Sequence, residues 1–118
     1  MPKCVEKPWG HEVIWAHTER YVGKVLHIRA GHKLSLQFHR VKDETIHLWS
    51  GRLLLVIEEG GALVEREMKP GDSCHIVPGT RHRMIALADC DVLEASTPEL
   101  DDVVRIEDSY GRQGTSKP

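Results

Sequence analysis

The 118-residue sequence predicts an all-β fold, a sandwich or barrel of short strands. Three observations predict it. Apolar runs are short and rich in Val, Ile and Leu. Turn signals built on glycine and proline separate them roughly every ten residues. No stretch combines a helical apolar period with caps at both ends. Apolar residues make up 40% and charged residues 29%, a globular balance at a length that suits one domain.

Taken in order, residues 24–28 are rich in β-branched and aliphatic residues and stop at Ala30-Gly31. Leu34, Leu36 and Phe38 alternate with Ser35, Gln37 and His39, the period of two of a strand with unlike faces. Residues 46–49 form a further run, stopped by Ser50-Gly51. Residues 53–57 are apolar throughout, which fits a strand buried on both faces or a piece of helix. Their length and the following Gly60-Gly61 favour a strand and a hairpin. Further strands are expected at 62–68, 73–77, 84–87 and 92–95. Between them lie Lys69-Pro70-Gly71-Asp72 and Val77-Pro78-Gly79-Thr80. In each, Pro presets the first central position and Gly supplies the positive φ of a type II turn.

The expected organisation is a single domain over 1–118 with its core at about 20–97. Segments 1–19 and 98–112 are expected to pack on that core, and 113–118 to fray. Pro8-Trp9-Gly10, Trp15 and Tyr110-Gly111-Arg112 are assigned to packing, because Trp and Tyr bury large areas. Sixteen Lys and Arg against 18 Asp and Glu give a net charge of −2, spread without a basic stripe, so nucleic acid is not an expected partner. Residues 1–7 contain no apolar run of signal-peptide or membrane-span length, and a cytoplasmic protein without a membrane partner is expected. Cys4, Cys74 and Cys90 match neither a disulfide framework nor a CxxC knuckle and read as reduced thiols. A core this small gains from pairing, so a homodimer is expected.

The chemistry concentrates in four residues. Gln37 and His39, two apart on a strand, project from one face. Glu44 follows a short polar turn, and His82 follows the second Pro-Gly turn. One amide oxygen, two imidazoles and one carboxylate form a mixed N/O donor set. It suits one divalent metal, zinc first, with manganese, iron, nickel or cobalt as alternatives. His11, His17, His32, His47 and His75 are read as solvated or internally satisfied side chains.

The spacing around these four residues resembles the cupin superfamily. Gly31, Gln37, His39, Glu44 and Gly51 fall in register on the first cupin motif, and Gly71, Gly79 and His82 on the second. Val77 stands where that motif has Pro, and Ala86 where it has Asn. Gln in place of the first motif's leading His is similar to the type II mannose-6-phosphate isomerase branch. So are Lys7-Pro8-Trp9-Gly10, Arg20-Tyr21, Lys24, Leu34-Ser35-Leu36-Gln37, His82-Arg83 and the segment 101–112. The sequence departs from that branch at Arg40-Val41, where it has further histidines, and at Thr45-Ile46, where it has His-Trp.

The resemblance implies a double-stranded β-helix, or jelly-roll, barrel with metal held by Gln37, His39, Glu44 and His82. It also implies a sugar or sugar-phosphate substrate, such as the mannose 6-phosphate and fructose 6-phosphate pair. Aldose–ketose interconversion calls for a Lewis acid, a base poised near neutral pH and a cation for the phosphate. Lys24 is the first catalytic candidate, although periodicity alone leaves it on either face of its strand. Arg83, beside His82, is the candidate for the phosphate, since Arg forks suit that geometry. Two other classes stay open: an oxygenase-type cupin enzyme, and a non-catalytic module that binds a sugar or holds a structural metal. Fold alone does not choose among them.

Overall fold

The structure, a computed structural model, describes residues 2–111 and the short strand Gly114–Thr115. The expectations for Arg112 and for a frayed 113–118 fall, apart from that strand, outside the described residues. Twelve strands are seen among them and no helix. The strands are β1 (Lys3–Lys7), β2 (Gly10–His17), β3 (Val22–Ile28), β4 (Leu36–Phe38), β5 (Glu44–Ser50) and β6 (Leu53–Glu59). They continue as β7 (Ala62–Met68), β8 (Ser73–Ile76), β9 (His82–Ala86), β10 (Cys90–Ser96), β11 (Val104–Glu107) and β12 (Gly114–Thr115).

Two antiparallel sheets face each other, in the orders β1-β2-β3-β10-β5-β8 and β12-β11-β4-β9-β6-β7. This is the all-β jelly-roll architecture. The period-two stretches become strands as expected, while β1, β2 and β11 lie in segments read only as packing. Their polar content hid them. Lys3, Cys4 and Glu6 are exposed, and β1 is held by its five-residue pairing with β2 more than by apolar burial.

Both Pro-Gly turns form as their composition dictates. Asp72 N–H donates to Lys69 O at 2.9 Å, and Thr80 N–H to Val77 O at 3.2 Å. Gly71 and Gly79, at φ 99° and 86°, take the left-handed position that only glycine occupies readily. The second turn fixes the start of β9, and so the position of His82.

The register sorts the barrel interior into two ends. In the first sheet Cys90 opposes Ile28, and Val92 opposes both Leu26 and Leu48. In the second, Leu53 opposes Ala86 and Leu55 opposes Met84. All nine are buried and form the apolar end. Further along the same strands Glu94 opposes Lys24, Ser96 opposes Glu44, and Gln37 opposes His82. Antiparallel pairing therefore aligns the polar inward positions of the central strands at the same end of the barrel.

Candidate metal centre and cavity

His39, Glu44 and His82 converge at that polar end, each buried, with donor atoms all within 4.8 Å of one another. His39 Nε2 is 3.0 Å and His82 Nε2 3.2 Å from the same oxygen, Glu44 Oε1. The imidazole rings tilt at 50° with centroids 5.2 Å apart. His39 follows β4, Glu44 opens β5 and His82 opens β9, so two sheets meet at the site.

Whether a cation fits can be judged from the other ring nitrogens. His39 Nδ1 lies 2.6 Å from Asp102 O, and His82 Nδ1 2.9 Å from Thr80 O. A carbonyl only accepts, so each Nδ1 donates, and Nε2 is the ring atom that each histidine turns to Glu44. His82 Nε2, fully buried, makes no hydrogen bond among the described residues; Glu44 lies near it but out of line. Once the Nε2 protons are given up, both ring nitrogens and the carboxylate can share one cation. Donors at about 2.1 Å from one ion sit about 3 Å apart when adjacent, which matches the spacing. The residues present fit a divalent metal.

Gln37 stands beside this triad, opposite His82 in register, and lines the same cavity. Its Oε1 accepts a hydrogen bond from Ser35 Oγ at 3.0 Å. The three charged or imidazole ligands and the amide are thus neighbours, with the amide oxygen turned to Ser35.

The cavity next to the triad is lined by charge. Lys42 Nζ lies 3.2 Å from Glu94 Oε2 and 3.6 Å from Glu44 Oε2. Lys24 Nζ lies 3.2 Å from Glu12 Oε2. Arg105, buried on β11, and Trp9, buried ahead of β2, complete the walls. Burial pushes the Glu44 carboxyl up, but the His39 and His82 rings and the Lys42 ammonium outweigh it and hold it well below the ordinary value. Burial and the nearby Glu44 charge push Glu94 up, against Lys42 and Lys24. Burial works against the Lys42 ammonium, yet Glu94 and Glu44 hold it above its ordinary value.

Lys24 points inward and lines the cavity. Arg83 does not. His82 and Met84 take the inward period of β9, so Arg83 between them faces out, where its Nε donates to Leu34 O at 2.8 Å and its Nη2 to Glu107 O at 3.2 Å. Arg105 is the arginine that lines the cavity. Glu12, Glu94 and Arg105 were missed by the sequence reading, although each shares the inward period of its strand with apolar residues: Ile14, Val92 and Val103. Lys42 lies in a turn, where no period marks it.

The tryptophans divide. Trp9 joins the core and the cavity wall, while Trp15 is 61% exposed, lying over Gly23 on the outer face of the first sheet. Tyr110 packs against the core and hydrogen-bonds His32 Nδ1 through its hydroxyl at 2.7 Å.

A two-sheet barrel with a His-Glu-His cluster at its polar end defines a β-barrel protein with a candidate metal centre. The family model of the cupin domain matches residues 24–95, more than half of the chain, and the chain belongs to the cupin family. Among solved structures it is similar to KdgF from Halomonas sp., with TM-score 0.74 and 23% identity over 84% of this chain and 88% of that one. It is similar to oxalate decarboxylase from Bacillus subtilis, with TM-score 0.78 and 15% identity over 89% of this chain and 30% of that one. A sugar phosphate isomerase of the cupin superfamily from Silicibacter pomeroyi gives TM-score 0.68 and 21% identity, over 80% and 64%. These likenesses carry the fold. No curated protein sequence matches.

Proposed function

We propose that this chain is a metal-dependent cupin enzyme acting on a sugar or sugar phosphate, as an aldose–ketose isomerase of the mannose 6-phosphate/fructose 6-phosphate type. The observation that carries the reading is one cavity lined by His39 and Glu44 of the triad together with Lys24 and Arg105. Buried Lys–Glu pairs are poor stability devices. Replacing such a pair with apolar side chains is often neutral or stabilising by about 1–4 kcal/mol. A barrel that keeps Lys24–Glu12 and Lys42–Glu94 inside is using them on a ligand.

The bound divalent ion would supply Lewis acidity at a carbonyl and its neighbouring hydroxyl. His39, Glu44 and His82 would hold it, with Gln37 alongside. Lys24 would move a proton at the cavity wall, with Glu12 keeping its ammonium oriented. Arg105 would take the anionic end of the substrate. The likeness to a sugar phosphate isomerase of the same superfamily supports this reading. The proposal includes a homodimer, and a cytoplasmic setting suits Cys4, Cys74 and Cys90, all unpaired.

Elemental analysis of the purified protein, with mannose 6-phosphate to fructose 6-phosphate assays before and after chelation, tests the reading. Turnover lost on chelation and restored by one metal is expected, and His82→Ala should lose both tight metal and turnover. A metal-loaded protein without turnover would sink the isomerase reading and leave the sugar-binding module in its place.

A further inference from the structure

The β1–β2 hairpin brings a second constellation into the barrel that metal holding does not use. Glu12 is 3% exposed. Its Oε2 accepts a hydrogen bond from Lys24 Nζ at 3.2 Å. Its Oε1, also buried, accepts none among the described residues, and Lys7 Nζ stands off at 3.7 Å. All three side chains, with Trp9, line the cavity that His39, Glu44 and Gln37 line. Lys24 donates to one carboxylate oxygen; the other has Lys7 in ion-pair range but no donor in hydrogen-bond geometry, which leaves part of its desolvation uncompensated.

The ligand chemistry follows from the charges. The oxygens of an ionised phosphate or carboxylate only accept, so they cannot donate to Glu12 Oε1, and Arg105 lines the same cavity for an anionic end. A hydroxyl suits Glu12 and Lys24 together: it donates to Oε1 and accepts from an ammonium that carries three hydrogens. Charged hydrogen-bond partners are the strong ones. We propose that Glu12 and Lys24 form a hydroxyl-binding subsite that selects polyhydroxylated acids over acids without hydroxyls. The subsite rests on the reading that the cavity takes its ligand beside the metal triad. Lys7, Trp9 and Glu12 lie outside the stretch 24–95 that defines the family, so this selectivity belongs to the chain's own flank.

Calorimetric titration of the metal-loaded protein with mannose 6-phosphate, gluconate and succinate tests it. The first two share hydroxyls and differ in phosphate against carboxylate; succinate has none. The wild type is expected to bind one hydroxylated acid at least about tenfold more tightly than succinate. Glu12→Gln should remove about tenfold of that affinity and leave succinate unchanged. Glu12→Asp, which keeps the charge and withdraws the oxygens, should act in the same direction and carries the test if Glu12→Gln does not melt cooperatively. Equal weakening of both ligand classes, no weakening, or no wild-type preference for hydroxylated acids would overturn the subsite. A preference that Glu12 substitution abolishes in a protein without turnover leaves the subsite standing and the isomerase reading fallen. An active isomerase with unchanged KM and kcat in Glu12→Gln does the reverse.

Discussion

Asp102 ties two distant parts of the chain together around the metal ligands. Its carboxylate accepts hydrogen bonds from the backbone N–H groups of Arg40, Val41 and Lys42 at 3.0, 2.7 and 2.8 Å. Its carbonyl takes His39 Nδ1. One residue after β10 has left the sheet therefore fixes both the turn between His39 and Glu44 and the tautomer of His39. Burial pushes the Asp102 carboxyl up, but the three N–H donors and the His39 ring outweigh it and hold it below the ordinary value. With the folded value depressed, the unfolded chain binds more protons between the two values. The stabilisation is complete above about pH 4, the unfolded carboxyl range, and is lost as pH falls through the folded value. Asp102→Ala should cost about 1–3 kcal/mol at pH 7. Denaturant titrations at neutral and acid pH should show that difference shrinking at low pH; a pH-independent gap would contradict the role.

At the scale of the elements, the close approach of two turns is what closes the apolar end. Gly51, between β5 and β6, has φ 97°, and a Cβ there would lie 2.1 Å from Asp89 O and 2.9 Å from Cys90 Cα. Both are backbone atoms and cannot swing aside. Gly61, in the β6–β7 hairpin, has φ 83° with no atom within 4 Å of a Cβ. Gly61→Ala should therefore cost only the left-handed backbone strain, about 1 kcal/mol. Gly51→Ala adds the collision and should cost about 3 kcal/mol or more, read as a lower midpoint in thermal unfolding. Equal losses at both sites would show that β5–β6 and β9–β10 yield to each other.

At the scale of the whole molecule, the first sheet presents a broad outer face. Val13, Val25, Leu93 and Ala95 run across its middle, with Trp15 and Trp49, 61% and 65% exposed, towards its edges. Six strands about 4.8 Å apart and seven residues long give a face of about 24 by 23 Å, the same order as one side of a standard protein interface. The proposed homodimer is expected to pair there. Light scattering should give twice 13.4 kDa for the wild type and a monomer for Trp49→Glu. A monomeric wild type ends the proposal.

Strand alternation and turn chemistry are local, and so the sequence by itself determined the all-β class, both Pro-Gly turns and the common face of Gln37 and His39. The spacing of Gly31, Gln37, His39, Glu44, Gly51, Gly71, Gly79 and His82 also pointed to the cupin family and to His39, Glu44 and His82, which the structure brings together. Which side of a strand faces the barrel is another matter. Period two gives two equivalent answers, and only the register between strands chooses between them. That choice turned Arg83 outward and Lys24 inward. It also set Glu12, Glu94 and Arg105, from segments far apart in the chain, around one cavity. The tertiary structure decided the interior of this protein because a charge becomes a site residue only when neighbouring strands bury it.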